Sequence, residues 1–188
     1  PYPQSGLVQL AGLVEIEGQQ REKFDHTMRP FAKDAISDEA LRVNGRSRKE
    51  ILGYDDPAVV YKRLIELLAK YVDRYDKNDK FHVVAYNAKF DADHLRAWFE
   101  KNGDSYFGSW FWHPPLDVMS MAALSLMERR ASLPNFKLLT VAQALGLDVR
   151  EDEAHDATYD VDLTRQMYQV LINEPAQRVP CATPKRTS

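Results

Sequence analysis

Two short segments hold the residue types that hydrolytic chemistry on a phosphodiester would need. One is His155-Asp156-Ala157-Thr158-Tyr159-Asp160, and the other is Tyr86-Asn87-Ala88-Lys89-Phe90-Asp91. Each places an aspartate where a strand or loop meets a helix, and the later one adds a histidine just before its helix. Carboxylates hold divalent cations, and a neutral imidazole takes a proton from an attacking water. His155 and Asp160 would lie about 140° apart on one continuous helix. They converge only if His155 sits in the entry loop, Asp156 caps the helix and Asp160 falls in its first turns. Asn87 and Asp91 straddle a strand-to-helix junction, where side chains gather in the crevice of an α/β sheet. Taken singly, each pair also reads as ordinary turn and cap residues.

Elements must exist to position these groups. Gly6 to Ile16 reads as a strand, Glu17 to Gln20 as a turn, and Arg21 to Met28 as a returning strand. Ile36 to Leu41 opens a short helix, and Asn44-Gly45 is a turn signal. Pro57 starts a strong helix with Val60, Leu64, Leu67, Leu68 and Tyr71 on one stripe. Phe81 to Tyr86 reads as a buried strand, and Asp91 to Asn102 as a helix with Leu95, Trp98 and Phe99 on one face. Leu116-Asp117 is extended and leads into a helix through about Glu128. Leu138 to Leu145 is a short helix, and Asp156 to Ile172 a long one packed through Ala157, Val161, Thr164, Tyr168 and Leu171. A hairpin followed by strands alternating with helices means an α/β domain, a mixed sheet flanked by helices. Residues 1–173 form that single domain, and 174–188 read as a mobile tail.

Composition narrows the classes. The chain has 188 residues, 44% hydrophobic, 28% charged, with a formal charge of −3. A broad electrostatic coat for nucleic acid would be basic. An acidic nuclease is not excluded, because bound cations supply the positive charge where phosphate sits. One cysteine, Cys181, permits no internal disulfide. No apolar run is long enough to span a membrane, so a cytoplasmic location is expected.

Together the segments resemble the DnaQ-like 3'–5' exonucleases of the DEDDh type. Asn87, Phe90, Asp91 and Leu95 are similar to that family's second motif, and His155, Ala157 and Asp160 to its third. Asp117-Val118-Met119, Lys137 to Gly146 and Ile36 to Gly45 are similar to its intervening stretches. The resemblance implies a ribonuclease H-like fold and metal-dependent 3'–5' removal of nucleotides, from DNA in preference to RNA. It implies two Mg2+ or Mn2+ ions held in part by Asp91 and Asp160. His155 would be the general base, and Asn87 and Asn44 would touch the substrate. A single-stranded DNA 3' end is the implied substrate and a DNA polymerase an implied partner. An RNA 3' exonuclease and a non-catalytic nucleic-acid-binding module of the same fold remain alternatives. A tyrosine-type relative would carry Tyr where Asp156 stands.

The family's first motif, Asp-x-Glu on the first strand, has no counterpart in a suitable place. Glu15-Ile16-Glu17 has the strand period, but it falls on what resembles the second strand. A strand bearing Asp-x-Glu is therefore expected about ten residues before Pro1, within usual loop lengths. Trp98 and Phe99 read as core. Trp110 to Trp112 stand open between core and a base-stacking platform. Arg129-Arg130 read as a solvated helix end, Lys89 and Arg96 as surface groups, and His113 as structural.

Overall fold

The computed structural model describes residues 6–43, 45–150 and 156–173. Asn44, His155 and the tail from 174 lie outside them. β1 (Gln9–Ile16) and β2 (Gln19–Thr27) form an antiparallel hairpin. Its turn sets both Glu17 (φ 53°) and Gly18 (φ 74°) in the left-handed region, which suits a tight hairpin connection. β2 is charged along its length, the usual protection for an outer strand, whereas β1 is mainly apolar. α1 (Asp38–Val43) and α2 (Arg48–Leu52) follow. α2 is a single turn started by a reciprocal cap, in which Glu50 N–H donates to Ser47 Oγ and Ser47 N–H to Glu50. Then come α3 (Pro57–Leu68), β3 (Val84–Ala85), α4 (Ala88–Lys101) and α5 (Phe107–Trp110). β4 (Leu116–Asp117), α6 (Val118–Ser125), a 3-10 turn (Met127–Ser132), α7 (Leu138–Ala144) and α8 (Ala157–Asn173) complete the order.

Two apolar cores organise these elements. The first joins Val14 and Met28 of the hairpin region to Val60 and Leu64 of α3, Trp98 and Phe99 of α4, and Phe107 and Trp110 of α5. The second joins Val118 and Ala122 of α6, Val141 of α7, and Tyr159, Leu163 and Met167 of α8. The short strand between them serves both. Phe81 and Val83 pack on the first core and Tyr86 on the second, as alternation along an extended chain requires. α8 also lies against the hairpin, where Lys23 reaches Asp162 at 2.5 Å and Arg165 pairs with Glu15.

Three expectations need correction. The sheet is mixed in direction but not continuous among the described residues. Among the described residues the antiparallel hairpin and the parallel pair β3–β4 are separate two-stranded sheets. The run Phe81 to Tyr86 is correspondingly less regular than expected. It pairs through an isolated Phe81–Phe111 bridge and then the two residues of β3. The buried stripe of α8 is Tyr159, Leu163, Thr164 and Met167, not one led by Ala157 and Val161. Tyr168 and Leu171 are only partly covered by the second core. Arg129 and Arg130 are exposed at a helix end as expected, and each also makes a contact. Arg129 donates to the Ala144 carbonyl at 3.1 Å, and the Arg130 guanidinium lies 4.6 Å from the Phe136 ring centre. Trp110 and Phe111 are core at 1% and 8% exposure, whereas Trp112 is at the surface beside His82 and Lys80.

The hairpin depends on a missing side chain. Gly12 faces Phe24 across the ladder, and a Cβ there would lie 2.5 Å from Cζ of that ring. Gly12→Ala should therefore cost about 1–3 kcal/mol of overpacking. Urea unfolding would read the loss, and pairing the change with Phe24→Leu should recover part of it.

Candidate active site

The parallel register brings Ala85 beside Asp117, so the ends of β3 and β4 deliver two adjacent helix starts. Asn87 takes left-handed backbone angles (φ 67°, ψ 49°) and stands at the head of α4. Asparagine is among the few non-glycine residues that tolerate this region. Its side chain makes no capping hydrogen bond to α4. The cap comes from across the strand pair: Asp117 Oδ1 accepts the N–H groups of Asn87 at 3.0 Å and Ala88 at 3.3 Å. Ala88 is fully buried, so the chain cannot shift there without opening the core.

Asp91 falls in the first turn of α4. Burial pushes its carboxyl up from the ordinary 3.8 to about 6, and the charge of Asp117 adds to the rise. Its own backbone hydrogen bond and nearby His94 act in the opposite direction. The residue is nonetheless exposed by surface area. The carboxyl is thus reachable by water while other protein atoms crowd around it. Lys89 pairs with Asp93, and Arg96 stacks 4.6 Å over Phe107, so both long cations beside Asp91 have roles in the helix surface.

Asp160 lies half-buried in the first turn of α8. Asp156 caps that helix as the spacing requires. Its Oδ1 accepts Thr158 N–H at 2.9 Å and Tyr159 N–H at 3.0 Å. Those contacts, with the Thr158 hydroxyl first among them, hold the Asp156 carboxyl below its usual range. On the other side of 151–155, Arg150 N–H donates to Tyr159 Oη at 2.7 Å.

Of the five site residues expected from sequence, the structure describes Asn87, Asp91 and Asp160; His155 and Asn44 lie outside the described residues. It joins Asn87 and Asp91 on one helix start and adds Asp117, which sequence reading treated only as a helix beginning. Asp91 and Asp160 offer carboxylate oxygens, the donors that Mg2+ and Mn2+ prefer. Among the described residues no three acids, histidines or cysteines are grouped to hold a metal ion. The donor chemistry of these carboxylates fits a hard divalent cation. Two surface hollows, of about 450 and 340 Å³, lie elsewhere, along β2–α3 and on the outer side of α8, and neither is lined by Asn87, Asp91 or Asp160.

The Asp91 shift has a consequence for stability. In the unfolded chain its carboxyl ionises near 3.8, and in the folded chain near 6. Its favourable contribution is complete below the lower value and is lost as pH rises through the higher one. In chelator, the melting temperature of the wild type should fall over this window relative to Asp91→Asn. The variant should be the more stable above pH 7, and the two should converge near pH 4.

No helix among the described residues is long and apolar enough to cross a membrane. The chain matches the family described as RNase_T: Exonuclease over residues 3–168. No curated protein matches it.

Proposed function

The chain belongs to the exonuclease family, the DnaQ-like 3'–5' exonucleases with a ribonuclease H-like fold, and from that premise we propose that it removes nucleotides from the 3' end of single-stranded DNA in a reaction that needs a divalent metal. Nucleic acid is the substrate class of the family. One observation carries the assignment to a site. Asp91 stands in the first turn of α4, immediately after the parallel strand pair, with its carboxyl among protein atoms yet open to solvent. In α/β sheets ligands bind at this end of the strands.

In this reading Asp91 and Asp160 are metal ligands, contributing part of the ligand set. Two bound Mg2+ or Mn2+ ions would supply Lewis acidity at the attacking and leaving oxygens. His155 accepts the proton of the attacking water as its oxygen bonds to phosphorus. The bond from phosphorus to the 3' oxygen of the penultimate nucleotide breaks, and that oxygen takes a proton from solvent. Asn87 presents its amide at the head of α4, where it meets the phosphate backbone, and Asn44 is a second backbone contact. A DNA polymerase is the partner this reading favours.

The test is release of mononucleotides from single strands labelled at one end or the other. Strands of matched sequence in DNA and RNA are compared with Mg2+, with Mn2+ and with chelator. Early release of the 3' label from DNA, lost in chelator, is expected. Faster release from RNA would reassign the substrate. Binding without release under any metal would leave a non-catalytic module of the same fold.

A further inference from the structure

We infer that Asp117 is a positioning residue of this site: its carboxylate holds the left-handed turn at Asn87 and so aims the first turn of α4, which carries Asp91. The inference rests on Asp91 belonging to the active site, as proposed above. Asp117 lies 30 residues from Asn87 in sequence and is brought beside it by the parallel register of β3 and β4. Its Oδ1 accepts three backbone N–H groups, from Asn87 at 3.0 Å, Ala88 at 3.3 Å and Met119 at 3.1 Å. Its Oδ2 accepts the Ser120 hydroxyl at 2.8 Å. One half-buried carboxylate therefore starts two helices, α4 across the strand pair and α6 directly after its own strand.

The left-handed backbone of Asn87 is the feature that needs this support. Such a conformation costs an L-residue about 1–2 kcal/mol and persists where its surroundings over-determine it. Asn87 does not cap α4 with its own side chain, so the acceptor oxygen reaching across the strands is what holds the turn. The oxygens of Asp117 are engaged by these donors, which separates its role from that of a metal ligand. Hydrogen bonds to an ionised acceptor are the stronger kind, and a site group displaced by about 1 Å loses on the order of 10² in rate.

Two substitutions separate positioning from helix capping. Asp117→Ser keeps a good cap for α6 but is too short to reach Asn87 and Ala88. Asp117→Asn keeps an acceptor oxygen at full length and removes the charge. The experiment measures kcat and KM on single-stranded DNA with Mg2+, together with hydrogen exchange at the Asn87 and Ala88 amides. For Asp117→Ser, kcat should fall on the order of 10- to 100-fold, as for other supporting partners of metal sites, with KM little changed. Exchange at the two amides should rise on the order of tenfold. Asp117→Asn should restore most of the rate and the slow exchange. Wild-type kcat and slow exchange in Asp117→Ser would overturn the inference. So would an Asp117→Asn variant with slow exchange but as little activity as Asp117→Ser, since the charge would then act directly in the chemistry. If the wild type releases no nucleotide, the exonuclease reading fails, and the exchange arm still decides whether Asp117 holds the turn.

Discussion

Replacing Asp160 with asparagine is expected to abolish nucleotide release while leaving the fold almost unchanged. The two halves of this expectation come from different atoms. The start of α8 is held by Asp156, whose carboxylate accepts the Thr158 and Tyr159 amides, so the helix keeps its cap when Asp160 loses its charge. The fold forfeits the attraction of one first-turn carboxylate to the helix N-terminus, about 0.3–1 kcal/mol. Any repulsion from other acids at the site is relieved at the same time. The proposed metal site has no such compensation. An amide is neutral and binds a hard cation poorly, and loss of one electrostatic group from a catalytic centre alone costs on the order of 10² to 10³ in rate. Activity of purified Asp160→Asn should fall at least that far, with a melting temperature close to that of the wild type. Undiminished activity would remove Asp160 from the metal site.

Capping chemistry and helical period made much of this arrangement legible in the sequence. The stripe Val60, Leu64, Leu67 and Leu68 is buried as its spacing demands, because a helix packed on one side obeys its period. The Asp156 cap and the α8 start were likewise readable from local residue types. α2 was missed although Ser47 and Glu50 carry the capping-box signal in plain form. α5 had no local signal, since its single turn is set by burial of Phe107 and Trp110 in the first core. The stripe on α8 was misassigned because that helix packs on two partners, the second core and the hairpin, which broadens its apolar face. The contribution of Asp117 to α4 could not be read at all. It depends on a parallel register between segments thirty residues apart, and pairing of that kind leaves no periodic trace in the chain.

His155→Ala is expected to reduce turnover by on the order of 10² to 10⁴, the usual worth of a positioned general base. The pH profile should show how. A neutral imidazole accepts the water's proton and an imidazolium cannot, so the rate should fall as pH drops below about 6.5, the reference value. Two cations beside the ring would move that limb lower, because like charge opposes protonation. Asp91 complicates the reading, since its carboxyl in the metal-free chain also titrates near 6, and protonation there would weaken metal binding. Metal concentration separates the two groups. A saturating cation keeps Asp91 ionised, because the ion competes with the proton for the same oxygens. The acid limb of kcat at saturating Mg2+ then belongs to His155, while at limiting Mg2+ the limb should move to higher pH as Asp91 adds to it. In His155→Ala the limb at saturating metal should vanish and the metal-dependent limb should remain. Full turnover in the variant with an unchanged profile would exclude His155 as the base. Loss of both limbs together would mean that His155 acts through metal binding instead of proton transfer.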